Sequence, residues 1–267
     1  MIDLASSAAV LAVVLLAALA YAMRVATRGR ARSERVEREG QSILVGKAPM
    51  EMVHWVLAPI GDACVRLGIH ANAVSWASLA FGLAAGVALG AGHFGVAAGL
   101  TAFAALGDAL DGVVARASGE ASDAGEVLDA SIDRYIELAF IGGLAFYFRE
   151  RPVALVVALG ALGGSFMVSY ATAKAEALRV KAPRGAMRRT ERVVYLLAGV
   201  TLGPVVAAMP SLAPWADVPA LAALALVAVV GNASAVRRLA AVARAVKKPS
   251  ARRAQSEAAK PAERSAP

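Results

Sequence analysis

Seven runs of mostly apolar residues, each near the roughly 20 residues that a helix needs to cross a bilayer, leave this chain few ways to fold. They cover about 4–23, 73–91, 94–113, 123–148, 152–173, 192–209 and 218–236. A backbone in hydrocarbon must satisfy its own hydrogen bonds, so runs of this length predict helices. The expected fold class is all-α, a polytopic membrane helix bundle. A chain that is 58% hydrophobic and only 18% charged, with a mean hydropathy of +0.60, does not read as a soluble domain. The single cysteine, Cys64, excludes an internal disulfide.

The net charge of +8 invites a nucleic-acid reading, but its distribution argues against one. Basic residues lie in blocks between the apolar runs, as cytoplasmic loops of membrane proteins do. Arg24, Arg28, Arg30, Arg32, Arg35 and Arg38 follow the first run, which puts 24–72 in the cytoplasm and the N-terminus outside. Alternation then puts 114–122, 174–191 and 237–267 inside. Of the 28 lysines and arginines, only Arg149 and Arg151 fall in predicted outer loops. The expected site of the protein is the inner, cytoplasmic membrane. Its partners are expected to be membrane lipids and a phosphorylated substrate, with no nucleic acid.

The first run has Asp3 where a cleaved signal peptide carries basic residues, and reads as a signal anchor. Residues 1–23 therefore form an extra N-terminal span, and 24–66 a basic linker with an amphipathic juxtamembrane segment. That segment (Met52, Val53, Val56, Leu57, Ile60, Cys64, Val65) suits either the membrane surface or packing on the bundle. Residues 67–240 form the main membrane domain. The stretch 241–267 reads as a basic tail, disordered from about 247. Gly142, Gly143, Gly160, Gly163 and Gly164 permit close helix approach within one chain or in a homodimer. His54, His70 and His93 show no partner spacing.

Four aspartates interrupt this apolar background: Asp108, Asp111, Asp129 and Asp133. An ionisable group near a bilayer core marks function by default. Like charges this close require a cation between them. On helices, residues three or four apart share a face, so Asp108 with Asp111, and Asp129 with Asp133, form two pairs. Two helices that end and start at one membrane surface can point these pairs at each other. Carboxylates without His or Cys suit hard ions such as Mg²⁺ or Mn²⁺ rather than zinc. Two such ions would clamp a diphosphate. Gly112 and Ala115 keep the ligand face shallow, Arg116 offers a fork to phosphate, and Gly125 leaves room opposite. A cation transporter would also place acidic groups in spans. Transporters place them near the midplane in repeated halves, whereas these pairs lie at span ends with no internal repeat.

The arrangement D-x2-D-G-x2-A-R-x8-G-x3-D-x3-D, read from Asp108 to Asp133, resembles the signature of the CDP-alcohol phosphatidyltransferases. The resemblance extends over about 50–240 and implies a six-span core, with the N-terminal span extra. It implies an integral-membrane transferase of phospholipid biosynthesis. Such an enzyme moves a phosphatidyl group from CDP-diacylglycerol to an alcohol and releases CMP. Asp108, Asp111 and Asp129 would then be metal ligands, and Asp133 a general base that also reaches metal. The family segment L-T-P-N-x-V-T corresponds to Ile69-His70-Ala71-Asn72-Ala73-Val74-Ser75, with His70 and Ala71 departing. Asn72 and Ser75 are expected to contact the CDP-lipid, together with Asp108, Gly112, Ala115, Arg116 and Gly125. The side chain of Asn72 alternatively caps the following span.

For the acceptor, the chain most resembles the bacterial phosphatidylinositol phosphate synthases, which use inositol 1-phosphate. Their S-Y-x-K-A-R-A-E segment reads Ser169-Tyr170-Ala171-Thr172-Ala173-Lys174-Ala175-Glu176 here, with Thr172 in place of lysine and Lys174 in place of arginine. An E-R pair is matched by Glu191-Arg192, and a late arginine by Arg238. The resemblance implies that Thr172, Lys174, Arg192 and Arg238 meet the acceptor phosphate. The departure at Thr172 leaves glycerol 3-phosphate or another alcohol open as acceptor.

Overall fold

The computed structural model describes residues 1–30, 48–180 and 185–258, with side chains as far as 247. The regular structure of these residues is helical throughout. The helices are α1 (Ile2–Arg28), α2 (Ala48–Arg66), α3 (Ala71–Gly90), α4 (Phe94–Ser118), α5 (Asp123–Tyr147), α6 (Pro152–Ala177), α7 (Arg189–Ala207) and α8 (Val218–Ala258). A short 3-10 turn, Ala213–Trp215, leads into α8.

Six of the expected spans are long and apolar enough to cross a membrane on composition alone: α1, α3, α4, α6, α7 and the apolar part of α8. The seventh, α5, has the length but carries Asp129, Asp133, Arg134 and Glu137 along it. Its sequence therefore reads as less apolar than its position. It packs between α3 and α6, with Ile132, Asp133, Phe140, Ile141 and Leu144 buried. The chain is an integral membrane protein built as a polytopic helical bundle.

The bundle has two halves. Helices α4 and α5 both pack on α3, α6 and α7 pack on α8, and the α5–α6 and α4–α7 contacts join the halves. An apolar core that includes Leu89, Phe140, Leu144, Phe148, Leu196 and Leu224 runs through the junction. Lipid tails are as apolar as leucine, so close backbone approach drives such packing. The α3–α5 seam shows it. A Cβ placed on Gly86 would lie 2.7 Å from the Ala139 carbonyl carbon, and one on Gly143 would lie 3.0 Å from the Gly86 carbonyl carbon.

The N-terminal helix is integrated at both ends. At its start, the Asp3 carboxylate accepts from the backbone N–H groups of Gly95 (2.8 Å) and Val96 (3.1 Å), capping α4 from another helix. His93 Nδ1 lies 3.2 Å from the other Asp3 oxygen. Towards its far end, buried Tyr21 donates to Glu51 of α2 at 2.8 Å and packs on Trp55. The opposite face, with Val13, Val14, Leu16 and Leu19, is exposed, as a lipid-facing surface requires.

Three sequence expectations change. The juxtamembrane segment is helix α2 and packs on α4, where Gly61 meets Val113. His70 and His93 both have carboxylate partners, Glu120 and Asp3, far away in sequence. Helix α8 continues to Ala258, past the expected start of disorder, in a segment of strong helix formers such as Ala, Arg and Lys. The linker 31–47 and the last residues, 259–267, lie outside the described residues.

Because the α3–α5 seam is backbone on backbone, Gly86→Leu should destabilise the bundle by about 1–3 kcal/mol. Thermal melting of detergent-solubilised protein would show this as a fall in midpoint. Gly163→Leu, at a position with no neighbour within 4 Å, should leave the midpoint nearly unchanged.

Candidate active site

Helix α4 ends at Gly119, whose φ of 75° and ψ of 14° form a left-handed cap. Helix α5 begins at Ser122, whose Oγ accepts from the Gly125 N–H at 3.2 Å. This short connection sets the end of α4 beside the start of α5. Carboxylate oxygens of Asp108, Asp129 and Asp133 consequently lie within 4.8 Å of one another. The second aspartate stands apart from this trio. Buried Asp111 accepts from Ser75 Oγ of α3 at 2.6 Å. Gly125 leaves the α5 face open, since a Cβ there would meet only Ser122 Oγ, at 3.4 Å. On α4, Gly112 and Ala115 are half-buried and Arg116 is exposed.

The donor chemistry fits a hard divalent cation. Three carboxylates from two helices converge, with a fourth one turn away, and His and Cys are absent from the group.

The principal cation at the cluster is Arg189, in the first turn of α7. Its Nη1 lies 2.7 Å from Asp108 Oδ2, and its Nη2 pairs with Asp133 Oδ1. It bridges α4 and α5 from a third helix. A cavity of about 40 Å³ adjoins it, lined by Thr101, Asp133, Glu137, Phe140 and Leu196 among others.

Behind Arg189 lies a second charged layer. Arg192 is 1% exposed and grips Glu137 with two nitrogens, at 2.6 and 3.1 Å. Its Nη1 donates to the Met187 carbonyl at 2.7 Å, and its Nη2 donates to Ser169 Oγ at 3.3 Å. Arg134 contacts the same Ser169 and Glu137. Breaking such a buried pair from one side costs about 3–5 kcal/mol. Arg192 was expected at the acceptor phosphate, but its donors are turned to these internal acceptors.

Glu191 has an equally defined task. Its Oε2 accepts from the backbone N–H groups of Met187 (2.6 Å) and Arg188 (3.2 Å). Met187 is fully buried and sits at φ 61°, in the left-handed region that a non-glycine residue rarely occupies. The Glu191-Arg192 pair thus clamps both polar groups of the Met187 backbone. That turn launches α7 and aims Arg189 at the aspartates.

The other expected acceptor residues separate. Arg238 Nη1 donates to Thr172 Oγ1 at 3.0 Å, and Nη2 donates to the Gly185 carbonyl at 2.9 Å. Thr172 and Arg238 therefore form one unit across α6 and α8. Lys174 lies exposed near the end of α6. The capping role read for Asn72 is not borne out. His70 is the N-cap of α3, and the side chain of Glu120, from the α4–α5 connection, reaches the Ala71 N–H at 3.4 Å. Asn72 is exposed in the first turn of α3. Two residues of the charged layer escaped the sequence reading. Glu137 lies one turn beyond Asp133, and continuing the four-residue spacing would have reached it. Arg189 was counted only among the loop charges, although it sits two residues before Glu191.

The match to known proteins now has a geometric counterpart. The family model for CDP-alcohol phosphatidyltransferase matches residues 68–233, from the start of α3 to within α8. The chain belongs to the CDP-alcohol phosphatidyltransferase family. It is thus a membrane-bound transferase of phospholipid synthesis. Among relatives, the phosphatidylinositol phosphate synthase of Corynebacterium glutamicum is 34% identical over 166 residues, 60% of this chain and 74% of that protein. The enzyme of the same name from Cutibacterium acnes is 30% identical over 196 residues, 71% of this chain and 93% of that protein. The crystal structure of Mycobacterium tuberculosis phosphatidylinositol phosphate synthase with CDP-DAG bound is similar, with a TM-score of 0.61 at 27% identity. The match covers 70% of this chain and 93% of that one. A structure of the same enzyme in complex with manganese and citrate matches with the same TM-score and identity, covering 70% of this chain and 88% of that one.

The Glu120–His70 contact closes the site region by tying α3 to the α4–α5 connection at 2.6 Å. The hydrogen bond from His70 holds the Glu120 carboxyl below the usual carboxylate range, with help from the Ala71 N–H. A depressed carboxyl stabilises the fold above its unfolded pKa, and this contribution is lost as pH falls through its folded value. Glu120→Gln should therefore lower the melting temperature at neutral pH. The difference from wild type should shrink towards zero as pH drops well below about 4.3, measured by melting across a pH series.

Proposed function

We propose that this chain transfers a phosphatidyl group from CDP-diacylglycerol to the hydroxyl of a phosphorylated polyol of the inositol 1-phosphate type, releasing CMP. The observation that carries this reading is the convergence of Asp108, Asp129 and Asp133 from α4 and α5. Asp108 and Asp129 would hold Mg²⁺ or Mn²⁺. Asp111 joins through its oxygen not engaged by Ser75, and Asp133 lies close enough to share a ligand position. Two divalent ions bound there would neutralise a diphosphate and stabilise charge on the attacking and leaving oxygens.

The chain's own groups supply the rest. Asp133 takes the proton of the acceptor hydroxyl as its oxygen bonds to the lipid-side phosphorus and the bond to CMP breaks. Ser75 orients Asp111. The open faces at Gly112, Ala115 and Gly125 leave space for the CDP moiety, with Asn72 and Arg116 exposed at its rim. The Thr172–Arg238 unit, with Lys174 nearby on α6, offers the acceptor phosphate a basic patch. The curated relatives named above support an inositol-phosphate acceptor. Loop charge supports a site facing the cytoplasm with the N-terminus outside. A membrane domain of 67–240 with the N-terminal span as an addition agrees with the extent of the family match.

Asp129→Asn should cut CMP release from CDP-diacylglycerol by about 100-fold or more. Chelation should stop the wild-type reaction, and added Mg²⁺ or Mn²⁺ should restore it. Turnover in the presence of excess EDTA would remove the metal-site assignment. The acceptor is tested by offering inositol 1-phosphate, free inositol, glycerol 3-phosphate and serine to the purified enzyme with CDP-diacylglycerol and identifying the lipid formed. The expected product is phosphatidylinositol phosphate. A product from glycerol 3-phosphate alone would transfer the assignment to that acceptor.

A further inference from the structure

Arg189 stands where a cation belongs. Its guanidinium spans the two helices that supply the carboxylates, meeting Asp108 at 2.7 Å and pairing with Asp133. The Asp108 contact is a charge-assisted hydrogen bond, the strong class, and the Asp133 contact is an ion pair. The arginine is not a chance visitor from a loose loop. It sits two residues past Met187, whose left-handed backbone is clamped by Glu191 and Arg192. Its side chain keeps 27% exposure, so it is not sealed within the apolar core.

We propose that Arg189 is a resident counter-cation that competes with divalent ions for Asp108 and Asp133 and is displaced from them when the ions bind. The inference rests on the metal-site reading above. Its logic is charge balance. Asp108, Asp111, Asp129 and Asp133 carry four negative charges at the edge of a bilayer, where uncompensated charge is expensive. The Arg189 guanidinium offsets a single charge and bridges the helices, with Arg134 3.7 Å from Asp133 beside it, so the site stays assembled. Two divalent ions would balance all four carboxylates, which leaves the arginine in excess. Its positive charge then faces an occupied, neutral site, free for a phosphate group. Arg189 would thus raise the ion concentration needed to load the site while keeping the carboxylates in register beforehand.

The test compares Mn²⁺ binding by titration calorimetry, in detergent and without substrate, for wild type, Arg189→Gln and Arg189→Lys, alongside melting in EDTA. Arg189→Gln should bind Mn²⁺ at least tenfold more tightly than wild type. It should also melt at a lower temperature in EDTA and gain a larger upward shift from Mn²⁺. Arg189→Lys keeps the charge without the fork and should fall between the two; it carries the test if Arg189→Gln cannot be purified metal-free. Wild type that binds Mn²⁺ while Arg189→Gln binds it equally or more weakly would overturn the counter-cation role and leave the metal site standing. Failure of every form to bind Mn²⁺ would remove the metal-site reading and the counter-cation role with it.

Discussion

The structure depends on one electrostatic constraint: three carboxylates whose oxygens share a space 4.8 Å across, at the end of helices that otherwise face hydrocarbon. Such a group repels itself apart unless positive charge is built around it. The bundle meets the demand in two layers. Arg189 bridges Asp108 and Asp133 directly. Behind it, Arg134 and Arg192 share Glu137 and Ser169, so that the charges of α5 and α7 are paired beside a hydroxyl of α6. Helix α5 can therefore be a span despite its composition. Its charged face meets arginines from neighbouring helices, and its apolar face continues the core through Phe140 and Leu144.

This layering gives the residues that match the family segment partners inside the bundle. Arg192 and Glu191 both bond to neighbouring protein groups. One holds Glu137 and the Met187 carbonyl, the other the Met187 and Arg188 amides, and together they shape the turn that aims Arg189. Arg238 is drawn to Thr172. A lysine at 172 would repel that guanidinium, whereas the threonine hydroxyl accepts from it. In the proposed acceptor region a neutral residue is thus paired with an arginine.

Much of this was legible in the sequence where a local period carries the signal. Apolar runs gave the spans to within a few residues, because a bilayer fixes the length of a helix. The aspartate spacing gave the pairing of faces, because residues three and four apart share a side. What stayed hidden depends on contacts distant in sequence. That Asp111 turns to Ser75, that Glu120 rather than Asn72 serves the start of α3, and that Asp3 caps α4 are all facts about neighbouring helices. Arg189 was hidden for a different reason. Arginines beside a membrane are expected to anchor it, and nothing local distinguishes one that turns inward.

The Asp3 cap on α4 bears on how this protein is made. The carboxylate and the Gly95 amide it serves are 92 positions apart, so α1 cannot make this contact until α2, α3 and the start of α4 have been synthesised. Contacts of such long range form late, since the loop between them must first be closed. Until then Asp3 stands without the amides of α4 that it serves. The docking of α1 would be among the last events of assembly.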